Sequence, residues 1–366
     1  MAVSVSFRGD QSVEIAWNEV TGAIGDSVTV LPIVVAVAVL TELSLAVMLL
    51  WFGLFQVVWG LYYGVPLSVE PMKALAALVL AGSLATGEFL VAGLLAGGAL
   101  LLIGATGTLA RVERYVGAPV VRGIQLGVAL VLLETGLRLG AADLRLAGVA
   151  TVVAVLIVAA GHWNLSALVV LLLGGGVAAS VAGAPSPALP GIDGVLLIGA
   201  GDLTLAAAEA SLAQLAMTIG NAALATSLLL SDYFDREVSP DRLASSMGVT
   251  NLAAVPFGAF PMCHGSGGVA GKYAFGARTA GANVVLGVGY VAVALLAVGL
   301  VAAYPVAMLG VVLALIALQL GRTSLERAAA YPLVIAVGLL GLTVNLGAAF
   351  VAGIVAYHLL RYRRGG

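Results

Sequence analysis

The chain has 366 residues, of which 61% are hydrophobic and only 9% are charged, and its formal net charge at pH 7 is -2. A mean hydropathy of +1.13 excludes a soluble globular domain and is typical of a polytopic helical membrane protein. The sequence shows no basic patch for a nucleic-acid partner, and the single cysteine, Cys263, excludes an internal disulfide.

Apolar segments recur from end to end of the chain, and most of them are long enough to span a bilayer. A polar arm (1–20) precedes a first repeat (21–181), and a Pro/Gly-rich link (182–205) leads to a second repeat (206–366). The predicted segments of the first repeat are 22–40, 45–62, 71–84, 89–108, 119–137, 146–160 and 165–181. Those of the second repeat are 206–230, 242–257, 263–275, 282–303, 305–320, 328–339 and 343–359. The predicted fold is therefore an all-α membrane protein of fourteen segments, seven in each half.

A short phrase occurs at matching places in the two halves. Residues 65–72 read V-P-L-S-V-E-P-M and residues 255–262 read V-P-F-G-A-F-P-M, with four identical positions at a constant offset of 190. A second echo, I-G-D at residues 24–26 and I-G-N at residues 219–221, has nearly the same offset. The halves are therefore predicted to be copies of one unit. An odd number of segments in each copy requires that the two copies have opposite orientations in the membrane.

The distribution of positive charge supports this topology. With both termini inside, twelve Lys and Arg residues fall in predicted inner loops and two fall in outer loops. The inner set is Arg8, Arg111, Arg114, Arg236, Arg242, Lys272, Arg278, Arg322, Arg327, Arg361, Arg363 and Arg364, and the outer set is Arg138 and Arg145. We therefore expect a multi-pass protein of the plasma membrane with both termini in the cytoplasm.

Each copy of the phrase is predicted to be an extended segment that leads into a helix N-terminus. Proline has no backbone donor and suits the first turn of a helix, and an apolar run follows Pro71. Pro261 is followed by M-C-H-G-S-G-G, whose glycines allow a ligand to approach the backbone. Two helix N-termini within the membrane present unpaired N–H groups and partial positive charge, which makes an anion site without several arginines. The third predicted segment of each half, 71–84 and 263–275, is short. Short, Gly/Pro-interrupted segments at matching places in two halves are also typical of a transporter's binding site.

Candidate binding residues come from these two phrases and from polar positions on two other segments. The predicted substrate-binding set is Pro71, Met72, Lys73, Met262, Cys263, His264, Gly265, Ser266, Gly267, Thr29, Gln214 and Asn221. Gln214, Thr218 and Asn221 have the spacing i, i+4, i+7, so they are predicted to lie on one helix face. A lysine within a membrane segment is costly, so Lys73 is expected either to pair with Glu70 or Asp26 or to contact the anion. Asp26 and Glu70 are the proton-coupling candidates, because an intramembrane carboxylate can titrate.

Structural alternatives stay open for these residues. The glycines can serve only to let helices cross, and the polar side chains can serve only to link helices by hydrogen bonds. Neither catalysis nor a metal or other cofactor is expected. Cys263 and His264 are adjacent at a predicted helix start, where side chains point apart, and no third member of a triad is evident. The three histidines, at positions 162, 264 and 358, are scattered along the chain.

Three stretches resemble the signatures of the molybdate transporters that are related to the sulfate permeases. They are G-V-P-L-S-V-E-P-M-K-A-L-A-A at residues 64–77, F-G-A-F-P-M-C-H-G-S-G-G-V-A-G-K-Y-A-F-G-A-R-T at residues 257–279, and I-G-D-S-V-T-V-L-P at residues 24–32. The resemblance implies the fourteen-helix inverted-repeat fold shared with sulfate and uracil permeases. It implies that a core domain of segments 1–4 and 8–11 moves against a gate domain of segments 5–7 and 12–14, and that the chain forms a homodimer.

The chain departs from the family pattern at Glu70, where the resemblance leads us to expect glutamine. An acid beside an oxyanion would repel the ligand unless it carried a proton, so Glu70 is a hypothetical proton-coupling residue. We therefore expect a secondary transporter that imports a tetrahedral oxyanion by proton symport and alternating access, with molybdate first and sulfate or tungstate as alternatives. Two other interpretations stay open: a nucleobase permease that uses Glu70 or Asp26 to recognise ring N–H groups, and a passive anion channel.

Overall fold

The computed structural model describes residues 3–7, 11–183, 198–326, 328 and 330–365. Most of the predicted link, at residues 184–197, lies outside the described residues, as do Arg8 and Arg327 of the inner-loop set. The described part is mostly helical and contains two small two-stranded sheets.

The first half starts with a β-hairpin in which strand β1 (Val3–Phe7) pairs antiparallel with β2 (Gln11–Ile15). The helices and strand that follow are α1 (Trp17–Leu40), α2 (Leu45–Tyr63), β3 (Val69–Pro71), α3 (Lys73–Leu80), α4 (Thr86–Thr106), α5 (Leu109–Val116), α6 (Ala118–Gly140), α7 (Leu144–Ala159) and α8 (Ser166–Ala182). Local sequence sets the helix boundaries. Ser44 caps α2 by accepting a hydrogen bond from Val47 N at 3.4 Å, and Gly64, with a φ of 70°, ends it.

In the second half, α9 (Leu205–Met217) continues through a π-helical stretch (Thr218–Ala225) into α10 (Thr226–Phe234). Together these form one apolar helix of 30 residues. The remaining elements are α11 (Pro240–Ala254), β4 (Met262–His264), α12 (Ser266–Ala274), α13 (Gly281–Leu296), α14 (Val306–Glu326), α15 (Tyr331–Thr343) and α16 (Leu346–Gly365).

Each of the fourteen predicted segments coincides with a helix. In the described ranges, seven helices are long and apolar enough to cross a membrane. The third helix of each half is short, as predicted, with 8 residues in α3 and 9 in α12. The arm prediction differs from the structure at its end, because α1 begins at Trp17 and the preceding residues form the hairpin.

Helix α5 was not predicted. Its sequence, LARVERYV, is amphipathic, so Leu109 and Val116 are buried while Arg111 and Arg114 are exposed. Helix α5 is too short to be recognised as a membrane-spanning segment from hydropathy.

The helices form two groups that correspond to the predicted core and gate domains. In the core group, α2 packs along α13, α4 along α11, and α1 on α12. In the gate group, α6 packs along both α14 and α15, and α8 and α16 join these helices. The β3–β4 pair lies within the core group, where it connects the two repeats.

The placement of Lys272 in an inner loop was wrong. Lys272 belongs to α12, its side chain is fully buried, and it forms an ion pair with Asp26 of α1. A lysine inside the membrane requires such a partner, because an unpaired charge there is costly. The remaining inner-loop set still outnumbers the outer pair, so the charge asymmetry is retained.

Candidate functional site

The two copies of the repeated phrase meet in a short antiparallel sheet. Pro71 of β3 pairs with Met262 of β4, and Met72 N donates to the carbonyl oxygen of Pro261 at 2.9 Å. The two Pro-Met dipeptides are equivalent in the repeats, so a local two-fold axis passes between them. The extended segments predicted from the prolines are confirmed. Because each strand leads directly into its helix and the strands are antiparallel, the N-termini of α3 and α12 meet at this sheet.

Several amides at these helix ends have no intrahelical partner. Among the described residues, the N–H groups of Lys73, Ser266 and Gly267 donate no hydrogen bond. The Lys73 side chain is 22% exposed, Ser266 is half-buried and Gly267 is exposed. Both helix ends are therefore partly accessible, and each presents unpaired N–H groups and partial positive charge.

Glu70 connects the two helix ends. Its side chain is fully buried, Oε1 accepts a hydrogen bond from Gly268 N in the first turn of α12 at 2.5 Å, and Oε2 forms an ion pair with Lys73. Of the two partners predicted for Lys73, the structure therefore has Glu70. A Cβ on Gly265 or Gly268 would collide with the Glu70 carboxyl group. These glycines thus provide room for a carboxylate at the start of α12.

The polar face of α9 reaches the start of α3. Gln214 Oε1 accepts hydrogen bonds from Ala74 N at 2.9 Å and Leu75 N at 3.4 Å. Gln214 therefore caps α3, whose own N-cap residue, Met72, makes no side-chain cap. The Gln214 amide nitrogen donates to Thr218 Oγ1 at 2.8 Å, in agreement with their shared helix face.

Asn221 has a partner in the gate group. The π-helical stretch changes the angular spacing of residues after Thr218. Asn221 Oδ1 accepts a hydrogen bond from Arg122 of α6 at 3.1 Å, and Arg122 also donates to Gln125 Oε1 at 2.8 Å. The Arg122–Asn221 bond therefore joins the gate group to the core group.

Asp26 lies in a buried polar cluster beside Glu70. Its Oδ2 is 3.2 Å from Lys272 Nζ, and both side chains are fully buried. Asp26 accepts hydrogen bonds from Ser68 Oγ at 2.5 Å and Gln56 Nε2 at 2.7 Å. Thr29 donates to the Asp26 carbonyl oxygen at 2.9 Å within α1. The charge of Asp26 is thus compensated inside the protein by Lys272, which was predicted to lie in a loop.

His264 and Cys263 are buried in the core group. The His264 ring nitrogens lie 2.7 Å from Ser246 Oγ and 3.3 Å from the carbonyl oxygen of Ser68. Cys263 Sγ lies 3.9 Å from the carbonyl oxygen of Pro71. Both side chains therefore contact the scaffold of the sheet, while the backbone that follows them forms the accessible helix end.

Asn251 of α11, which was not among the predicted site residues, fixes the outer edge of β4. Its side chain accepts a hydrogen bond from Met262 N and donates to the Met262 carbonyl oxygen, both at 2.7 Å. These are the bonds that a third strand would make. The only sequence signal was an asparagine within an otherwise apolar segment.

Comparison with known proteins identifies the family. A sequence profile described as "Molybdate transporter of MFS superfamily" matches residues 18–132 and 206–320, one stretch in each half of the chain. The chain belongs to this molybdate transporter family. Molybdate transporter 2 of Arabidopsis thaliana is 28% identical to it, over 94% of this chain and 88% of the relative. Molybdate transporter 1 of Chlamydomonas reinhardtii is 26% identical, over 93% of this chain and 91% of the relative.

Solved structures of similar shape establish the fold of this member of the molybdate transporter family. The transmembrane domain of the cyanobacterium bicarbonate transporter BicA matches with a TM-score of 0.67 at 19% identity, and covers 96% of this chain and 99% of that domain. The murine anion transporter Slc26a9 in its inward-facing state matches with a TM-score of 0.68 at 13% identity, over 95% of this chain and 68% of that one. The predicted inverted-repeat membrane fold with core and gate domains is confirmed. The relatives are transporters, so the prediction that the chain is not an enzyme is confirmed too.

Proposed function

We propose that this protein is a secondary active transporter that imports a tetrahedral oxyanion, with molybdate as the first substrate and tungstate and sulfate after it. The observation that carries the proposal is the meeting of two helix N-termini with unpartnered N–H groups on Lys73, Ser266 and Gly267. An oxyanion accepts several hydrogen bonds at once, and helix ends stabilise its charge. The molybdate relatives support the choice of substrate.

The anion would lie between the backbone of residues 71–73 and that of residues 262–267. Gln214 fixes the start of α3 from one side. Thr29 and Asn221 remain predicted members of the site, and they require a rearrangement of their present bonds to reach the anion. Backbone donors make the site selective for oxygen-rich anions without a cluster of arginines.

Glu70 provides a route for proton coupling. Its carboxylate now accepts the bond from Gly268 N and pairs with Lys73, so it occupies groups that an external anion would use. Protonation of Glu70 ends the ion pair and weakens its hold on Gly268 N. A single proton on Glu70 thereby makes both the Lys73 ammonium and the Gly268 N–H available to an anion. Asp26 and Lys272 lie in the same region and neutralise each other's charge. The net charge that an incoming anion meets therefore depends on the protonation of Glu70, which pairs with Lys73.

Alternating access would follow from movement of the gate group against the core group, around a site carried by the core. The bond between Arg122 and Asn221 is one of the contacts that such a movement must change. We further propose a location in the plasma membrane with both termini in the cytoplasm, and assembly as a homodimer.

The first test of substrate is calorimetric titration of the purified protein with molybdate, tungstate, sulfate and uracil in separate runs. We expect tight binding of molybdate and tungstate and much weaker binding of sulfate. Equal or tighter binding of sulfate would make the protein a sulfate permease. Binding of uracil alone would show a nucleobase permease and refute the oxyanion site.

The test of coupling is molybdate uptake into proteoliposomes with and without a pH gradient. Parent protein should accumulate molybdate against its gradient when the side from which it enters is acidic, whereas a channel would only dissipate the gradient. Glu70→Gln should remove the effect of pH on uptake. Glu326→Gln is a matched control, because Glu326 is 56% exposed and pairs with Arg322 at the end of α14. If Glu70→Gln accumulates molybdate with unchanged pH dependence, Glu70 is not the coupling residue.

A further inference from the structure

The ammonium group of Lys272 lies in a cage of oxygen atoms. Its three N–H donors reach Gln56 Oε1 at 2.9 Å, the Leu67 carbonyl oxygen at 2.8 Å and Asn283 Oδ1 at 3.1 Å. The fourth oxygen is Asp26 Oδ2, at 3.2 Å. These oxygens come from α1, α2, the segment before β3, and α13, so four parts of the core group converge on one positive charge.

The cage is held together by bonds that do not involve the lysine. Asn283 Nδ2 donates to the carbonyl oxygen of Gln56 at 2.8 Å, to Gln56 Oε1 at 3.0 Å and to the Leu67 carbonyl oxygen at 2.6 Å. Gln56 Nε2 donates to Asp26 Oδ2 at 2.7 Å and to the Val69 carbonyl oxygen at 3.0 Å. The amide groups of Gln56 and Asn283 thus keep their oxygens directed at a common centre. Removal of the lysine side chain would leave this arrangement with a negative charge and a cavity.

We propose that this cage is a binding site for a monovalent cation, and that the chain fills it permanently with the Lys272 ammonium. One carboxylate and three neutral oxygens balance a single positive charge. The separations from the Lys272 nitrogen, 2.8–3.2 Å, suit an ammonium group or a large monovalent ion such as potassium. They are longer than the roughly 2.3–2.6 Å that oxygen ligands take around calcium.

The cage adjoins the proposed anion site. A Cβ on Gly268 would touch both Oδ1 of Asp26, the residue whose Oδ2 belongs to the cage, and Glu70 Oε1 at the helix end. A cation there neutralises Asp26, which would otherwise repel an anion at the start of α12. Because the cation is part of the chain, anion binding requires no dissolved sodium or potassium. This consequence rests on the proposed function, whereas the cage itself does not.

The test of the cage is the thermal unfolding of Lys272→Ala, measured in potassium, sodium, ammonium and choline chloride at equal ionic strength. We expect the variant to unfold well below the parent in choline. Its midpoint should rise by several degrees, in a saturable manner, when potassium or ammonium is added, because an ion that binds the folded state stabilises it. The parent should show no such ion-specific rise.

Two variants make the test specific. In Lys272→Met the side chain fills the cavity without a charge, so no ion-specific rise is expected although the lysine is absent. Adding Asp26→Asn to Lys272→Ala removes the charge of the cage, and this should abolish the rise. An equal midpoint of Lys272→Ala in choline and in every other cation would overturn the proposal.

A second measurement does not depend on the folding of any variant. The parent protein is titrated with molybdate in sodium, potassium and choline buffers, and its affinity should be the same in all three. A requirement for sodium or potassium would overturn the proposal, since the lysine would then not serve as the cation. Absence of molybdate binding in every buffer would refute the proposed function and leave the unfolding data on the cage intact.

Discussion

Replacement of Gly268 by alanine tests whether the first turn of α12 is shaped to hold two carboxylates. The added Cβ would collide with Asp26 Oδ1 and Ser68 Oγ and lie 2.6 Å from Glu70 Oε1. These three side chains are fully buried, so none can move aside into solvent. Overpacking of a core costs roughly 1–3 kcal/mol. Loss of the hydrogen bond from Gly268 N to the Glu70 carboxylate adds about 1.5–3 kcal/mol. We expect the unfolding free energy to fall by about 3 kcal/mol or more.

The assay is thermal unfolding in detergent, followed by tryptophan fluorescence, with Gly289→Ala as the control. Gly289 lies on the exposed face of α13, and a Cβ there meets no atom within 4 Å. Alanine is preferred to glycine within a helix by about 0.5–1 kcal/mol, so this control should unfold at or above the parent midpoint. An unchanged midpoint for Gly268→Ala would refute the packing argument. An equal loss in Gly289→Ala would show that the effect is not specific to the carboxylates.

Three further substitutions test other parts of the site. Asn251→Ala leaves the buried N–H and carbonyl groups of Met262 unpaired, at a cost of about 1–3 kcal/mol each, so the thermal unfolding midpoint should fall clearly. A midpoint equal to that of the parent would show that these two bonds do not stabilise β4. Gln214→Ala removes the cap of α3, so it should lower stability by about 1 kcal/mol and weaken molybdate binding in calorimetry. Unaltered molybdate affinity would show that the cap does not contribute to the anion site. Arg122→Gln removes the charged bond to Asn221 between the two groups, so uptake rates in proteoliposomes should change while equilibrium affinity stays constant; a matching loss of affinity would place Arg122 in the binding site instead.

The sequence was sufficient for the features that depend on local chemistry. Proline in two matching phrases predicted extended segments followed by short helices, and both occur as β3–α3 and β4–α12. The cost of a charge in the membrane predicted a partner for Lys73, and Glu70 is that partner. The spacing of Gln214 and Thr218 predicted one helix face, and a hydrogen bond joins them.

Features that depend on contacts between distant segments were not accessible in this way. Lys272 lies one turn from the loop that carries Arg278, so a count of charges by position put it outside the membrane, although tertiary contact with Asp26 buries it. The role of Asn251 depends on β4, which lies against α11 only in the folded protein. The carboxylate of Glu70 at the start of α12 joins residues 198 positions apart. The periodicity of a single sequence carries no information about contacts between residues so far apart in the chain.

The two halves of the chain differ next to the β3–β4 pair, where the local two-fold axis that relates them passes. Helix α3 begins two residues after Pro71, whereas α12 begins five residues after Pro261. In a perfectly duplicated chain, exchange of the two halves' conformations would interconvert outward and inward states of equal free energy. The three additional residues before α12 are one difference between the halves that is incompatible with such equal free energies. For the proposed transporter, influx and efflux should therefore saturate at different substrate concentrations, although the final gradient would still be determined by the driving ion alone.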